Sequence, residues 1–223
     1  MANPRIAIFA RSANGNTAPV RVIEGGHTRL ARTSHAIAFD DRNDEIVVPN
    51  GNRVLIYSRK ANGDTAPLRV IQGPDTMLRG ASATAVDPVH NLLVVGLEGN
   101  SSRTGGLLVF DRTASGNTPP RGVIRGTKSG IIRINQIALY PAKKFIVATQ
   151  PGDAAEMEPE GAFVGIWSLD DSGDIPPRWK ISANARSLLK KPRGITLDPK
   201  NKELIVADMR LNSILTYYFP EMF

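Results

Sequence analysis

Residues 53–73 read RVLIYSRKANGDTAPLRVIQG, and the recurrence of this stretch decides the fold. It is preceded by RIAIFARSANGNTAPVRVIEG from Arg5, and followed in looser form by GLLVFDRTASGNTPPRGVIRG from Gly106 and FVGIWSLDDSGDIPPRWKISA from Phe163. Each copy opens with an apolar stretch of period two, passes a Gly-containing turn and a proline, and ends in a second short apolar stretch closing on isoleucine, which is the pattern of a β-hairpin. The turn glycines are Gly15, Gly63, Gly116 and Gly173; the prolines are Pro19, Pro67, Pro120 and Pro177; the closing isoleucines are Ile23, Ile71, Ile124 and Ile181. Glycine suits a turn that demands positive φ, and proline fits just before an outer strand, where no ladder N–H is needed. An aromatic anchor falls at Phe9, Tyr57, Phe110, Trp167 and, in a shortened copy, Tyr217, at spacings of 48, 53, 57 and 50 residues. Periods of this length are those of propeller blades.

A second strand pair lies between these hairpins. HAIAFDDRNDEIVV, SATAVDPVHNLLVV, INQIALYPAKKFIVA and PRGITLDPKNKELIVA each give an apolar strand, a polar turn and an aliphatic strand. Asp40, Asp87 and Asp198 recur before the turn, with Tyr140 in the remaining copy. Carboxylates so placed are expected to accept turn N–H groups rather than to perform chemistry. Strand order A, B, C, D then predicts an all-β propeller of four-stranded antiparallel blades, read as one domain over residues 1–223. Its units are a partial blade at 5–25, blades at 35–73, 82–126 and 134–182, and a partial blade at 194–219, so the chain holds four to five blade units. Closure by the two termini building one blade together would remove the open edges. The strands number seventeen, however, one more than a closed four-bladed ring requires. The surplus points to a fragment or half of a larger ring, or to a homodimer through the open terminal blades, with two copies making eight blades.

The phrase FDRTASGNTPPRGVIRG, residues 110–126, carries a resemblance to the NHL-like and YVTN-like bacterial repeat propellers, and the likeness extends over essentially the whole chain. That resemblance implies the propeller fold, a periplasmic or extracellular location, and a protein that binds partners. It also implies an alternative, because some related propellers are lactonases or lyases.

Composition removes much chemistry. The chain has no cysteine, hence no disulfide, thiolate metal site or thiol nucleophile. It has three histidines, His27, His35 and His90, too few and too scattered for a zinc site, so no metal and no cofactor is expected. G-x-S-x-G, G-x-x-x-x-G-K-[ST] and a strand-linked G-x-G-x-x-G are all missing. No catalytic residue is identified, and an enzyme is the less favoured reading. No apolar run approaches the roughly 20 residues that cross a bilayer, so no membrane insertion is expected. The net charge of +7 favours anionic partners. With 6% aromatic residues, largely consumed as repeat anchors, few stacking platforms remain for nucleic acid, which is disfavoured.

Binding residues concentrate on connections held by a rigid scaffold. The D–A and B–C connections share one face of a propeller, and two B–C connections are enlarged, 97–106 and 149–162. That face collects Arg29, Arg32, Arg79, Arg103, Lys128, Arg133, Arg186, Lys190, Lys191 and Arg193, opposed by the acidic insert Asp153, Glu156, Glu158 and Glu160. Arg79, Arg133, Arg186, Lys190 and Arg193 are the candidate ligand residues. Arg79, Arg133 and Arg193 stand just before successive A strands, where quasi-symmetry would ring the axial mouth and hold a carboxylate or sulfate. The expected function is a non-catalytic binding or scaffolding propeller engaging a protein or anionic polysaccharide. The alternatives are an axial-pocket lactonase or lyase and a self-assembling structural module.

Overall fold

A computed structural model describes residues 4–31, 36–99, 104–153, 156 and 161–223. Five antiparallel sheets follow one another along the chain. Blade I holds β1 (Arg5–Ile8) and β2 (Arg21–Glu24). Blade II holds β3 (Ala38–Asp40), β4 (Glu45–Pro49), β5 (Arg53–Ser58) and β6 (Arg69–Gln72). Blade III holds β7 (Ala81–Asp87), β8 (Leu92–Leu97), β9 (Gly106–Asp111) and β10 (Gly122–Ile124), and blade IV β11 (Ile137–Tyr140), β12 (Phe145–Gln150), β13 (Phe163–Ser168) and β14 (Trp179–Ser182). Blade V holds β15 (Pro192–Asp198), β16 (Glu203–Asp208) and β17 (Ser213–Tyr218). Within each complete blade the strands pair in chain order as a meander, which is the blade architecture of a β-propeller.

The cores lie between blades. Both faces of a central strand are buried because each meets a different neighbour: Leu55 and Tyr57 pack with Ile6 and Ile8 of blade I, while Val54 and Ile56 pack with Leu93, Val95, Leu108 and Phe110 of blade III. A third cluster joins blades III and IV around Trp167, and a fourth joins IV and V around Leu204 and Val206. The anchors Tyr57, Phe110 and Trp167 are fully buried. An aromatic of this size removes about 150–250 Å² from water, worth roughly 4–6 kcal/mol of transfer free energy. The hydroxyl of Tyr57 donates to the Thr28 carbonyl, and that of Tyr217 to the Ser187 carbonyl at 2.8 Å, so two anchors also hold the loop of the blade before them. Burial raises both phenols to about 12.

A backbone clip repeats at every junction where a C–D hairpin follows a D strand. Gly63 donates its N–H to the Val22 carbonyl at 2.7 Å and accepts from Glu24 at 3.1 Å; Gly116 does the same with Val70 and Gln72, and Gly173 with Val123 and Arg125. The next side chain completes the clip: Asp64 accepts from the His27 amide at 2.7 Å, Asn117 from Asp75 at 2.9 Å, and Asp174 from Lys128 at 2.8 Å. The space these side chains fill lies against the glycine after each closing isoleucine. A Cβ on Gly25, Gly73 or Gly126 would come within 2.4 Å of Asp64, 2.2 Å of Asn117 or 2.2 Å of Asp174. The glycine is therefore obligatory, and its φ of 125–141° suits no other residue well. The fourth D strand ends at Ser182 with Ala183 after it, and among the described residues no C–D hairpin clips it; the chain turns back instead. Phe219 stacks edge-on to Trp179, Phe223 to Tyr140, and Met222 is fully buried between blades IV and V.

The expectation that the two ends merge into one blade is corrected. Among the described residues β1 pairs with β2 alone and β17 with β16 alone. The reason is positional. Phe9 and Tyr217 both belong to C strands, so the two terminal sheets, one C–D and the other A–B–C, both supply strand C.

The repeated aspartates cap turns. Asp40 accepts from the Arg42 and Asn43 amides, Asp87 from Val89 and His90, and Asp198 from Lys200 and Asn201, all at 2.8–3.2 Å. Hydrogen bonds from Asn201 hold the Asp198 carboxyl below its usual range, and those from His27 do so for Asp64. Partial burial pushes Asp171 up, but Arg178 and the Ser168 amide outweigh it and leave that carboxyl low as well. At the opposite end from the B–C loops, buried Glu45 takes two bonds from Arg69, at 2.6 and 2.9 Å, and one from Arg112 at 3.0 Å, tying blade II to III.

Two predictions follow from the clip and the carboxylates. Gly73→Ala should lower stability by about 2–3 kcal/mol through strained φ and collision with Asn117, whereas Ala183→Gly should cost less than about 1 kcal/mol, read as denaturant midpoints. Because Asp64, Asp171 and Asp198 have folded pKa values below the unfolded value near 3.9, their stabilisation is complete above about pH 4–5 and disappears as pH falls through the lowered values. Melting temperature should accordingly drop steeply below about pH 4, and Asp171→Asn should flatten that drop.

Candidate functional site

The D–A and B–C connections meet at one end of the blades. The Ala81 amide donates to Gly51 at 2.6 Å and that of Glu98 to Gly80 at 2.7 Å, so the B–C turn of one blade and the D–A turn leading into the next are laced together. Farther along, Gly105 donates to Ile132 at 2.7 Å, and Met209 to Lys191 at 3.1 Å. These bonds make the loops a supported surface rather than free ends.

The candidate residues divide into two groups on that surface. Arg79, Arg186 and Lys190 are exposed, and their side chains enter none of the ion pairs or side-chain hydrogen bonds formed among the described residues. Their backbones are nonetheless fixed: the Arg186 amide donates to Asn184 at 2.9 Å and the Lys190 amide to Asp208 at 2.8 Å. Arg133 and Arg193 belong to a second, deeper group with Lys191. Arg133 is only 6% exposed, donates from Nε to the Gly152 carbonyl at 3.0 Å, and donates its amide N–H to Gln150 Oε1 at 3.0 Å. Burial lowers its pKa, Arg193 lowers it further, and Glu98 and Asp153 oppose them. Lys191 is 4% exposed and donates to the Glu156 carbonyl; burial, then Arg193 and Arg133, lower its pKa. Arg193 is half-buried, with Asn135 accepting from its Nη1 at 3.1 Å. Arg133, Lys191 and Arg193 are thus electrostatic neighbours.

The acidic insert comes down on this deeper group. Gly152 supplies the carbonyl that Arg133 holds, Asp153 lies within its electrostatic reach, and Glu156 supplies the carbonyl over Lys191. Arg32, His35, Asn100–Arg103, Glu158 and Glu160 lie outside the described residues. His27 bonds Asp64 at 2.6 Å as part of a clip, and His90 bonds Asp87 at 2.7 Å in a turn. Among the described residues no three His, Asp or Glu side chains are grouped so that they could hold a metal ion, and no helix is long and apolar enough to cross a membrane.

Sequence reasoning missed a polar seam along the inner strands. Thr149 donates to the Arg193 carbonyl at 3.1 Å, Gln136 accepts from the Ile195 amide at 2.9 Å, and Ser82 donates to the Ile134 carbonyl at 2.7 Å, each crossing from one blade to the next. The signal was the break in an aliphatic run, as in FIVATQ at 145–150.

No family model matches the chain, and no curated protein does. Solved structures do. The chain is similar to hydrazine synthase of Kuenenia stuttgartiensis, with a TM-score of 0.54 and 13% identity over 77% of this chain and 42% of that one. It is likewise similar to the WD40 β-propeller domain of Doa1, with a TM-score of 0.51 and 9% identity over 82% of this chain and 53% of that one. The chain is a β-propeller in fold. It spans about half the length of the structures it matches. At these identities the likeness is one of architecture.

The two groups should separate experimentally. Arg79→Ala, Arg186→Ala and Lys190→Ala should each change stability by no more than about 0.5 kcal/mol, because exposed charges contribute little. Arg133→Ala removes a buried hydrogen bond and leaves the Gly152 carbonyl unpaired, and should cost about 1–3 kcal/mol by chemical denaturation.

Proposed function

We propose that the chain is a non-catalytic binding propeller whose D–A/B–C loop face engages an acidic protein or an anionic glycan. The observation that carries this reading is the trio Arg79, Arg186 and Lys190, exposed cations without anionic partners among the described residues, carried on loops whose backbones are pinned. Their positive charge is available to a ligand, and a preorganised scaffold lowers the entropy cost of using it. Arg133 and Lys191 support the site from below, holding the Gly152 and Glu156 carbonyls at the rim of the same face, with Arg193 beside them. Membership in the NHL-like or YVTN-like group, and the exported location it implies, belong to the same proposal. The WD40 domain of Doa1 supports it only as an example of the architecture.

A self-assembling role is the second reading. It is favoured by the outward face of blade V, where Ile214 is 71% exposed beside Ala207, Thr216 and Tyr218. Residues at the matching places in blades II and III, such as Val54 and Leu107, are fully buried by the next blade.

The test uses immobilised heparin and poly-glutamate as probes, eluted with a salt gradient. The wild-type chain should be retained on at least one of them at physiological salt, and the Arg79→Gln/Arg186→Gln/Lys190→Gln variant should bind about tenfold more weakly. Equal retention of both proteins, or none of either, would remove the loop face from consideration, and a concentration-dependent mass by light scattering would turn attention to blade V.

A further inference from the structure

The hairpin of blade I repeats the clipping hairpins of blades II to IV, yet its own clip is unused. Gly15 has φ 62°, beside 67° and 65° at Gly63 and Gly116, so the turn already has the clipping conformation. Thr17 donates to the Asn14 carbonyl as Thr65 donates to that of Asn62, which fixes the same backbone shape. Gly15, Asn16 and Thr17 are all exposed.

The hydrogen bonds show what is missing. In blade II, Gly63 gives its N–H to Val22 of the neighbouring D strand, and Asn62 accepts from the Val22 amide at 3.1 Å. In blade I those two groups turn on each other: the Gly15 N–H is taken by Asn14 Oδ1 at 2.8 Å. The face behind the turn is open as well. Phe9 is 51% exposed and Ala7 is exposed, although the matching Leu55, Tyr57, Leu108 and Phe110 are fully buried against the preceding blade.

We propose that the Gly15–Asn16–Thr17 turn is a docking site for an extended strand lying outside residues 1–223 and ending in the sequence Val-Ile-x-Gly. The three occupied clips define that occupant. Each holds a strand whose Val carbonyl accepts from the turn glycine and whose residue after Ile donates back to it. Each also needs glycine next, because the Asp or Asn after the turn glycine occupies the place of a Cβ. Asn16 would receive an amide two residues beyond that glycine, as Asp64 receives His27 and Asn117 receives Asp75. A second copy of this chain does not fit. Its Val-Ile-x-Gly segments at 22–25, 70–73 and 123–126 are already clipped by Gly63, Gly116 and Gly173, and its fourth D strand ends in Ser182–Ala183. The mode is strand addition, with backbone bonds for affinity and the isoleucine and glycine for selectivity.

The probe is a synthetic peptide with the sequence of residues 67–78, PLRVIQGPDTML, titrated into the nitrogen-15-labelled full chain and followed by NMR. The Gly15 and Thr17 amides should shift with a dissociation constant on the order of 1 mM, as a few exchangeable backbone contacts give. The peptide carrying Gly73→Ala should bind at least about tenfold more weakly, and Asn16→Ala, at an exposed position, should weaken binding of the unaltered peptide while leaving the remaining spectrum unchanged. Shifts confined to other blades, equal binding of the two peptides, or concentration-dependent shifts at Gly15 without peptide would each overturn the assignment, the last by showing a second copy in the site.

Discussion

The molecule depends on a contact made almost wholly of main chain: a turn glycine of one blade bonded to the last strand of the blade before it. Side-chain cores fill the space between blades, but they are non-directional and set no angle. The clip does set one, since it fixes where the tip of each C–D hairpin lies on its neighbour's outer edge. With the anchors Tyr57, Phe110 and Trp167 buried toward the same neighbour, each blade is held at its outer edge by hydrogen bonds and along its middle by apolar area. The inner seam of Ser82, Gln136 and Thr149 adds a third line near the axis. All three lines are present between blades III and IV, where the Gly173 clip, the Trp167 core and the Ser82 bond join the two sheets.

Much of this architecture could be read from the residues in order. The hairpin pattern and the period of the aromatic anchors define strands, and strands at that spacing define blades. The closing glycine was visible too, in RVIEG, RVIQG and GVIRG, but its reason was not. A glycine at positive φ looks like any other turn glycine until the carboxylate or amide from about forty residues downstream is seen in its place. Ala183, which looks like drift in a weak fourth repeat, stands at the matching place, where among the described residues no Asp or Asn of a following hairpin fills the space of a Cβ. The joining of the two ends was misjudged because anchor spacing reports which strand a segment is without reporting whether its neighbour is in reach.

The basic face was legible as a list of charges and illegible as a site. Arg79 and Arg133 both precede A strands, but in strand register Arg79 matches Lys190 and Arg133 matches Lys191; the first pair is exposed and the second buried, Arg133 beneath the segment that begins at Gly152. The segment over Arg133 belongs to an enlarged B–C connection, and sequence gives its length without its path. A cation beneath a loop spends its hydrogen bonds on that loop's carbonyls, so Arg133 and Lys191 shape the rim, while Arg186 and Lys190, a few residues along the chain, keep their charge facing outward.

A joint built from backbone places little demand on genetic economy. A copied segment of about fifty codons brings with it both halves of the joint, the turn that grips and the strand end that is gripped, so a duplicated unit is compatible with its neighbours on arrival. The remaining side chains can then diverge one at a time, as the passage from RVIQG to WKISA shows. Lineages of such chains would be expected to differ in blade number more readily than in blade shape.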